Sequence, residues 1–319
     1  MTRGGAPSVS AVIATRNRRD ALEIVLDRLA ELPVHEVLVA DNGSGDGTAE
    51  LVRSRGGNVR LLELDANVGI AARNRAAVHA SGDLLLMLDD DAYPLPGSVE
   101  VLVERFEHDP RLGVAGGLVR DVDGKGRVFR STELGTFDWW LRAGRKGEPP
   151  PEGFPAFFFP EGASMLRRSA FLEVGGFFEP YFHFSAEVDL ATRLVAAGWD
   201  VRYVPQARFD HLKAPSGRAS DRALYFRIRN NLWYLWLRFP AHVALRRTLG
   251  YLAFDLLDAT YQRHPGAWAR GVRDAWRQRA LVRGERRPVP RELRHRAELN
   301  RGRTHVRLLL GQLRRRVRA

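Results

Sequence analysis

The residues best suited to chemistry are three consecutive acids, Asp89, Asp90 and Asp91, which follow the uninterrupted apolar run LLLML (84–88). Adjacent carboxylates repel one another and resist losing water, so a positive partner belongs there. Two acids separated by one residue, Asp89 and Asp91, can both turn toward a hard divalent cation where the backbone leaves a strand. Mg²⁺ or Mn²⁺ held by so few carboxylates keeps coordination positions open for phosphate oxygens. A solvated acidic turn is the competing reading. In VLVADNGSGDGTAELV (37–52), Asp41 ends an apolar run and Thr48 opens a helix whose amides could face an anion. In LDANVGIAARNRA (64–76), Asn67 and Gly69 make a turn, and Arg73 and Arg75 fall in the first turns of a helix. Cations are unfavourable there without a partner, either a nucleotide phosphate or a surface salt bridge.

The elements that must position these residues alternate. SVSAVIA (8–14), HEVLVAD (35–41), NVRLLEL (58–64) and DLLLMLD (83–89) read as strands. Helical spacing over 19–31, 47–55 and 70–80 separates them. This alternation implies an α/β fold with a mostly parallel central sheet flanked by helices, whose ligands bind at the carboxyl ends of the strands. Asp41 and Asp89 both stand at such ends. LGVAGGLV (112–119) is a further strand, followed by about forty residues rich in Gly, Pro and aromatics that suggest a lid-like loop. Helices over 168–174 and 186–197 and a strand over 200–205 come next, and after Ser220 the pattern is helical.

The chain has 319 residues, 45% of them hydrophobic, and no cysteine, so any metal must use Asp, Glu or His. The net charge of +12 is uneven: residues 221–319 hold 24 Arg, no Lys and 7 acids, about +17, leaving about −5 for residues 1–220. An acidic first part argues against a nucleic-acid enzyme built around a basic cleft, whereas the tail suits phosphates of lipid, nucleotide or RNA. In that tail LYFRIRNNLWYLWLRF has a broad aromatic face. Trp233, Trp236 and Phe239 would either enter a membrane surface or pack within the protein, and packing is the commoner fate of such a face. Charges and Pro240 interrupt every 18-residue window, which excludes a spanning helix. The first apolar run is too short for a signal peptide, so the expected location is cytoplasmic, with peripheral contact at the inner face of the membrane as an extension of that expectation.

In order along the chain, SAVIATRNR, VADNGSGDGT, NVGIAARNRA, LLLMLDDDA and FFEPYFHFSAEVDLATRLVAAGW, followed by His211, together resemble the inverting, metal-dependent family 2 glycosyltransferases of the GT-A fold. Rhamnosyl-, galactofuranosyl- and N-acetylglucosaminyl-transferases belong to that family. The resemblance covers about residues 8–215, implying a GT-A domain over 1–215 and a basic helical extension over 216–319. It implies that Thr15, Arg16 and Asn17 line a nucleotide pocket, that Asp41 contacts the base, and that Arg73 contacts the nucleotide. Asp89, Asp90 and Asp91 would serve the donor, with Asp89 and Asp91 facing the metal and His211 as a further ligand. The family usually has Asp as the base in Glu-Asp-x-Asp-Leu; this chain reads AEVDL over 186–190, so Glu187 takes that place with one more methylene. Asp189, four residues before Arg193, could simply pair with it on the helix. The implied reaction transfers a sugar from a UDP- or dTDP-sugar to a hydroxyl of a glycan, a lipid-linked acceptor or a natural product. Trp139, Trp140, Phe157, Phe158 and Phe159 could frame that acceptor, although packing explains most such aromatics. A sugar nucleotidyltransferase would need a Gly-rich first loop, which ATRNRRD lacks. A nucleic-acid or membrane-surface binding protein using the Arg-rich tail leaves the N-terminal motifs unused.

Overall fold

The structure, a computed structural model, describes residues 5–131, 150–212 and 220–293. Their described parts form two compact units, 5–131 with 150–212, and 220–293.

The first unit begins with the expected alternation: β1 (Val9–Thr15), α1 (Arg19–Leu29), β2 (Glu36–Asp41), α2 (Thr48–Arg55), β3 (Val59–Glu63), α3 (Ala71–His79) and β4 (Leu84–Asp89). α1 forms because Leu22, Val25, Leu26 and Leu29 recur at helical spacing and all are buried. β1 pairs in parallel with both β2 and β4, and β2 with β3. Leu84 to Leu88 are 0% exposed, so both faces of β4 are covered and its unbroken apolar run is accounted for. Leu84, Leu86 and Leu88 share one core cluster with α1 and with Val99, Leu102 and Phe106 of α4 (Ser98–His108).

Beyond β4 the sheet becomes mixed. A three-residue β5 (Ala92–Pro94) precedes α4, and β6 (Leu112–Val122), β7 (Val128–Ser131), β8 (Phe154–Pro155), β9 (Ala163–Arg167) and β10 (Asp200–Leu212) complete it. The main order is β3-β2-β1-β4-β9-β6-β10-β5. β9 lies antiparallel to both neighbours, β4 and β6, so the parallel pairing that runs through β3, β2, β1 and β4 is interrupted there and resumes between β6 and β10. The physical reason is the connection: among the described residues β7 and β8 lie between β6 and β9, so β9 is not the next strand of a βαβ unit. α5 (Arg168–Glu173) and α6 (Ala186–Ala196) lie between β9 and β10.

The second unit contains α7 (Asp221–Arg238), α8 (Ala241–Tyr261), α9 (Pro265–Arg277) and α10 (Arg279–Gly284). Ser220 caps α7 by accepting from Ala223 N at 3.1 Å. Trp233 and Phe239 are 2% and 0% exposed and pack within the protein, whereas Trp236 is half-buried. No helix among the described residues is long and apolar enough to cross a membrane.

Candidate active site

Two turns build one wall of the site. Asn17 follows β1 with φ of +54°, a left-handed conformation that Asn tolerates, and its Oδ1 accepts from Gly45 N at 2.8 Å. Its own N–H donates to Ser44 Oγ at 2.9 Å, stitching the loop after β1 to the loop after β2. Asp41 is buried and accepts from Ser44 N at 3.2 Å. Arg16 is exposed on the same loop. At the α2 N-terminus, where the amides could face an anion, Asp46 accepts from Thr48 N at 3.2 Å.

The acidic triplet divides its work. Asp90 turns back toward β1, accepting from Thr15 Oγ1 at 2.8 Å and lying 3.5 Å from Arg18 Nε. Burial, then repulsion from Asp91, push its carboxyl up to about 6. Asp89 and Asp91 turn the other way and meet His211, each offering one ligand atom within 4.8 Å of the others. β5 makes this possible: its antiparallel pairing with β10 sets Ala92 opposite His211, and Leu212 N donates to Asp91 O at 2.7 Å. Arg18 also pairs with Asp91. His211 Nε2 is 3.2 Å from Asp91 Oδ1, and Nδ1 is 2.8 Å from Asp121 Oδ1. The hydrogen bond to Asp91 outweighs burial and raises the imidazole to about 9, a measure of the negative charge gathered there. Two carboxylates and one imidazole make a donor set that fits Mg²⁺ or Mn²⁺.

Arg73 is 2% exposed. Its Nη2 lies 2.6 Å from Asp89 Oδ1 and donates to Leu88 O at 2.9 Å, while Nη1 pairs with Glu161. Both arginines of α3 have acidic partners within the chain, Arg73 in Asp89 and Glu161 and Arg75 in Glu179 at 3.7 Å. Burial works to raise Asp89, but Arg73 outweighs it and holds the carboxyl below the usual range. Burial pushes Glu161 up; Arg73 opposes this, and the charges of Glu187 and Asp89 add to it. Glu187 therefore belongs to the same electrostatic neighbourhood as Arg73 and Asp89.

Glu187 stands in the first turn of α6, after a loop held in an unusual shape. Phe182, Phe184 and Ser185 have φ of +64°, +61° and +63°, a left-handed conformation that costs L-residues energy and persists only where the surroundings enforce it. Those surroundings are visible. Ile70 N donates to Phe182 O at 2.9 Å, and a Cβ on Gly69 would overlap Phe182. Asn74 and Phe177 exchange two hydrogen bonds of 2.8 Å. From α6 itself, Arg193 donates to Gly176 O at 2.6 Å while its Nε pairs with Asp189 at 2.8 Å. The helical pairing of Asp189 with Arg193 is thus present, and it anchors the helix that presents Glu187. Of the aromatic residues, Phe157 and Phe159 are buried, Phe158 is 44% exposed, and Trp139 and Trp140 lie outside the described residues.

Sequence reasoning did not single out Asp121, Glu161 or Gly162. A Cβ on Gly162 would overlap the Asp89 carboxylate, and Gly162 O accepts from Asp89 N at 3.3 Å. The sequence does not mark that position: the same Pro-Glu-Gly step occurs at 151–153 and at 160–162.

With this geometry in place, comparison with known proteins is decisive. The profile of the family described as Glycosyl transferase family 2 matches residues 10–175. The chain belongs to glycosyl transferase family 2. It is 32% identical over 276 residues to the N-acetylglucosaminyl-diphospho-decaprenol L-rhamnosyltransferase of Mycobacterium tuberculosis, covering 75% of this chain and 88% of that one. The pre-mycofactocin glycosyltransferase of the same species is 31% identical, over 64% of this chain and 42% of its own length. Among solved structures, GalNAc-T7 with UDP, GalNAc and Mn²⁺ has a TM-score of 0.59 at 16% identity, over 79% of this chain and 50% of that one. The mannosyltransferase PcManGT of Pyrobaculum calidifontis, in complex with GDP-Man and Mn²⁺, has a TM-score of 0.57 at 19% identity, over 88% and 80% of the two chains. These neighbours give the family 2 chain its GT-A fold. Membership also sets aside the nucleotidyltransferase and the non-enzymatic readings.

Proposed function

We propose that this chain is a metal-dependent, inverting glycosyltransferase. It moves a sugar from a UDP- or dTDP-sugar to a hydroxyl of a glycan, lipid-linked or small natural-product acceptor. The supporting observation is the convergence of Asp89, Asp91 and His211, with Arg73 and Glu187 in the same electrostatic neighbourhood. The catalytic domain is 1–215, and 216–319 is a basic helical extension in peripheral contact with the membrane. The M. tuberculosis relative, named for a diphospho-decaprenol acceptor, favours a lipid-linked acceptor here.

Asp89, Asp91 and His211 would hold Mg²⁺ or Mn²⁺, which supplies Lewis-acid stabilisation of a departing diphosphate. Thr15, Arg16 and Asn17 line the nucleotide pocket, with Asp41 on the base side and Asp90 locked to Thr15 beneath it. Arg73 keeps Asp89 ionised and adds a buried positive charge beside the diphosphate. Glu187 takes the proton of the acceptor hydroxyl as its oxygen bonds to the anomeric carbon. The bond from that carbon to the diphosphate oxygen breaks on the opposite side, so the configuration inverts and no covalent sugar-enzyme species forms.

Calorimetric binding of UDP, dTDP and GDP, with and without Mn²⁺, tests the donor site in the intact protein and in Asp91→Ala. Metal-dependent binding of one nucleotide that Asp91→Ala abolishes is the expected result. Absence of binding under every condition overturns the proposal. Full transfer by Glu187→Gln removes that residue as the base.

A further inference from the structure

α8 is amphipathic in the wrong sense for a helix on an aqueous surface. Its two acids, Asp255 and Asp258, are 1% and 7% exposed and are turned inward onto Arg227, which lies 3.5 Å from Asp255 and also pairs with Asp258. Four of its five leucines point outward: Leu245, Leu249, Leu256 and Leu257 are 56%, 65%, 39% and 66% exposed, and Leu252 is half-buried. At about 100° per residue, Leu245, Leu249 and Leu256 fall within about 40° of one another and form a continuous stripe. The exposed polar residues on α8 are His242, Arg246 and Thr260; none is an acid. Contiguous apolar surface of this kind marks a contact with something apolar.

Charge selects the partner. Residues 220–293 contain 15 Arg, no Lys and 6 acids, about +9. A second copy docked here would bring two units of this net charge together, whereas an anionic bilayer would attract the unit while receiving the leucines. α8 is too short of apolar residues to span, which leaves it lying in the interface plane.

We propose that the leucine stripe of α8, flanked by Arg246, seats this chain on an anionic lipid surface. The proposal deepens the membrane contact suggested above and rests on it, and it is independent of the transfer chemistry. It also relocates that contact: Trp233 and Phe239 are interior, and Leu245, Leu249 and Leu256 of α8 are on the outer surface.

The test is sedimentation of the full chain, without nucleotide, with phosphatidylcholine vesicles that either contain or lack about one third phosphatidylglycerol. The wild type should sediment with the anionic vesicles and be released by salt. Leu249→Glu/Leu256→Glu should bind at least about tenfold more weakly, while its circular dichroism and calorimetric nucleotide binding stay unchanged. Leu245→Gln/Leu249→Gln provides a milder second variant if the first does not fold. Three outcomes overturn the proposal: wild type that ignores both vesicles, folded variants that bind like wild type, or a wild-type dimer that the variants dissociate. Loss of nucleotide binding by the wild type with vesicle binding intact strikes the transferase reading alone.

Discussion

Asp121 and His211 face each other across the parallel β6/β10 ladder, and the Asp121 carboxylate lies 2.8 Å from His211 Nδ1. That contact leaves Nε2 as the nitrogen directed at Asp91, the arrangement in which an outer carboxylate orients a metal-binding imidazole. Asp121→Ala should weaken Mn²⁺ binding by about 10- to 100-fold, read as free Mn²⁺ by electron paramagnetic resonance. Asp121→Asn retains an oxygen acceptor and should recover most of that loss. Equal Mn²⁺ affinity in wild type and Asp121→Ala would show that the ring needs no such support.

Gly162 leaves the space that the Asp89 carboxylate fills. Gly162→Ala should displace Asp89 from Arg73, abolish metal-dependent nucleotide binding, and destabilise the fold by about 1–3 kcal/mol. Calorimetry together with urea unfolding separates the two effects. A Gly162→Ala protein with wild-type nucleotide affinity would mean that Asp89 tolerates movement.

Asp189 and Glu187 lie two residues apart on α6 but have different jobs. Asp189 is 0% exposed and paired with Arg193, so Asp189→Ala leaves a cation without its partner and should cost about 3–5 kcal/mol. Glu187→Gln should leave the urea midpoint nearly unchanged and remove transfer. If the two variants unfolded at the same midpoint, the anchoring role of Asp189 would be wrong.

Glu36, at the start of β2, joins strands far from the acidic triplet. Burial works to raise its carboxyl, but bonds from Ser81, Ser10 and Arg60 outweigh that and hold it at about 2, against 4.5 for an ordinary glutamate. A depressed value stabilises the fold above the unfolded-state pKa, and this stabilisation is lost as pH falls from about 4.5 toward 2. Glu36→Gln should therefore cost up to about 3 kcal/mol at neutral pH, with the gap from wild type closing as the medium is acidified. Urea melts at a series of pH values would show it; a gap that stays constant down to pH of about 3 contradicts the linkage.

Much of the fold was legible because the first four strands and three helices carry strong local periodicity, from Val9 to Asp89. The placement of Asp89 and Asp91 at a strand's carboxyl end followed from that. β5 and β9 were not legible: three residues and five residues have no period to read, and each exists through its pairing with strands distant in sequence. Arg73 illustrates the same limit. Its position near a helix N-terminus called for an anionic partner, but Glu161, 88 residues away, is brought to it only by β9.

The sequence alone determined the element order from Val9 to Asp89, the acidic triplet and the two electrostatic halves, because these depend on local pattern and composition, whereas the candidate base Glu187 came from the family resemblance. Tertiary structure decided that Asp90 turns away from Asp89 and Asp91, that Asp121 pairs with His211, and that Trp233 and Phe239 are hidden while Leu245, Leu249 and Leu256 of α8 are exposed. Those outcomes depend on strand pairing and on which helix face finds a neighbour, and no short window of sequence contains the partner.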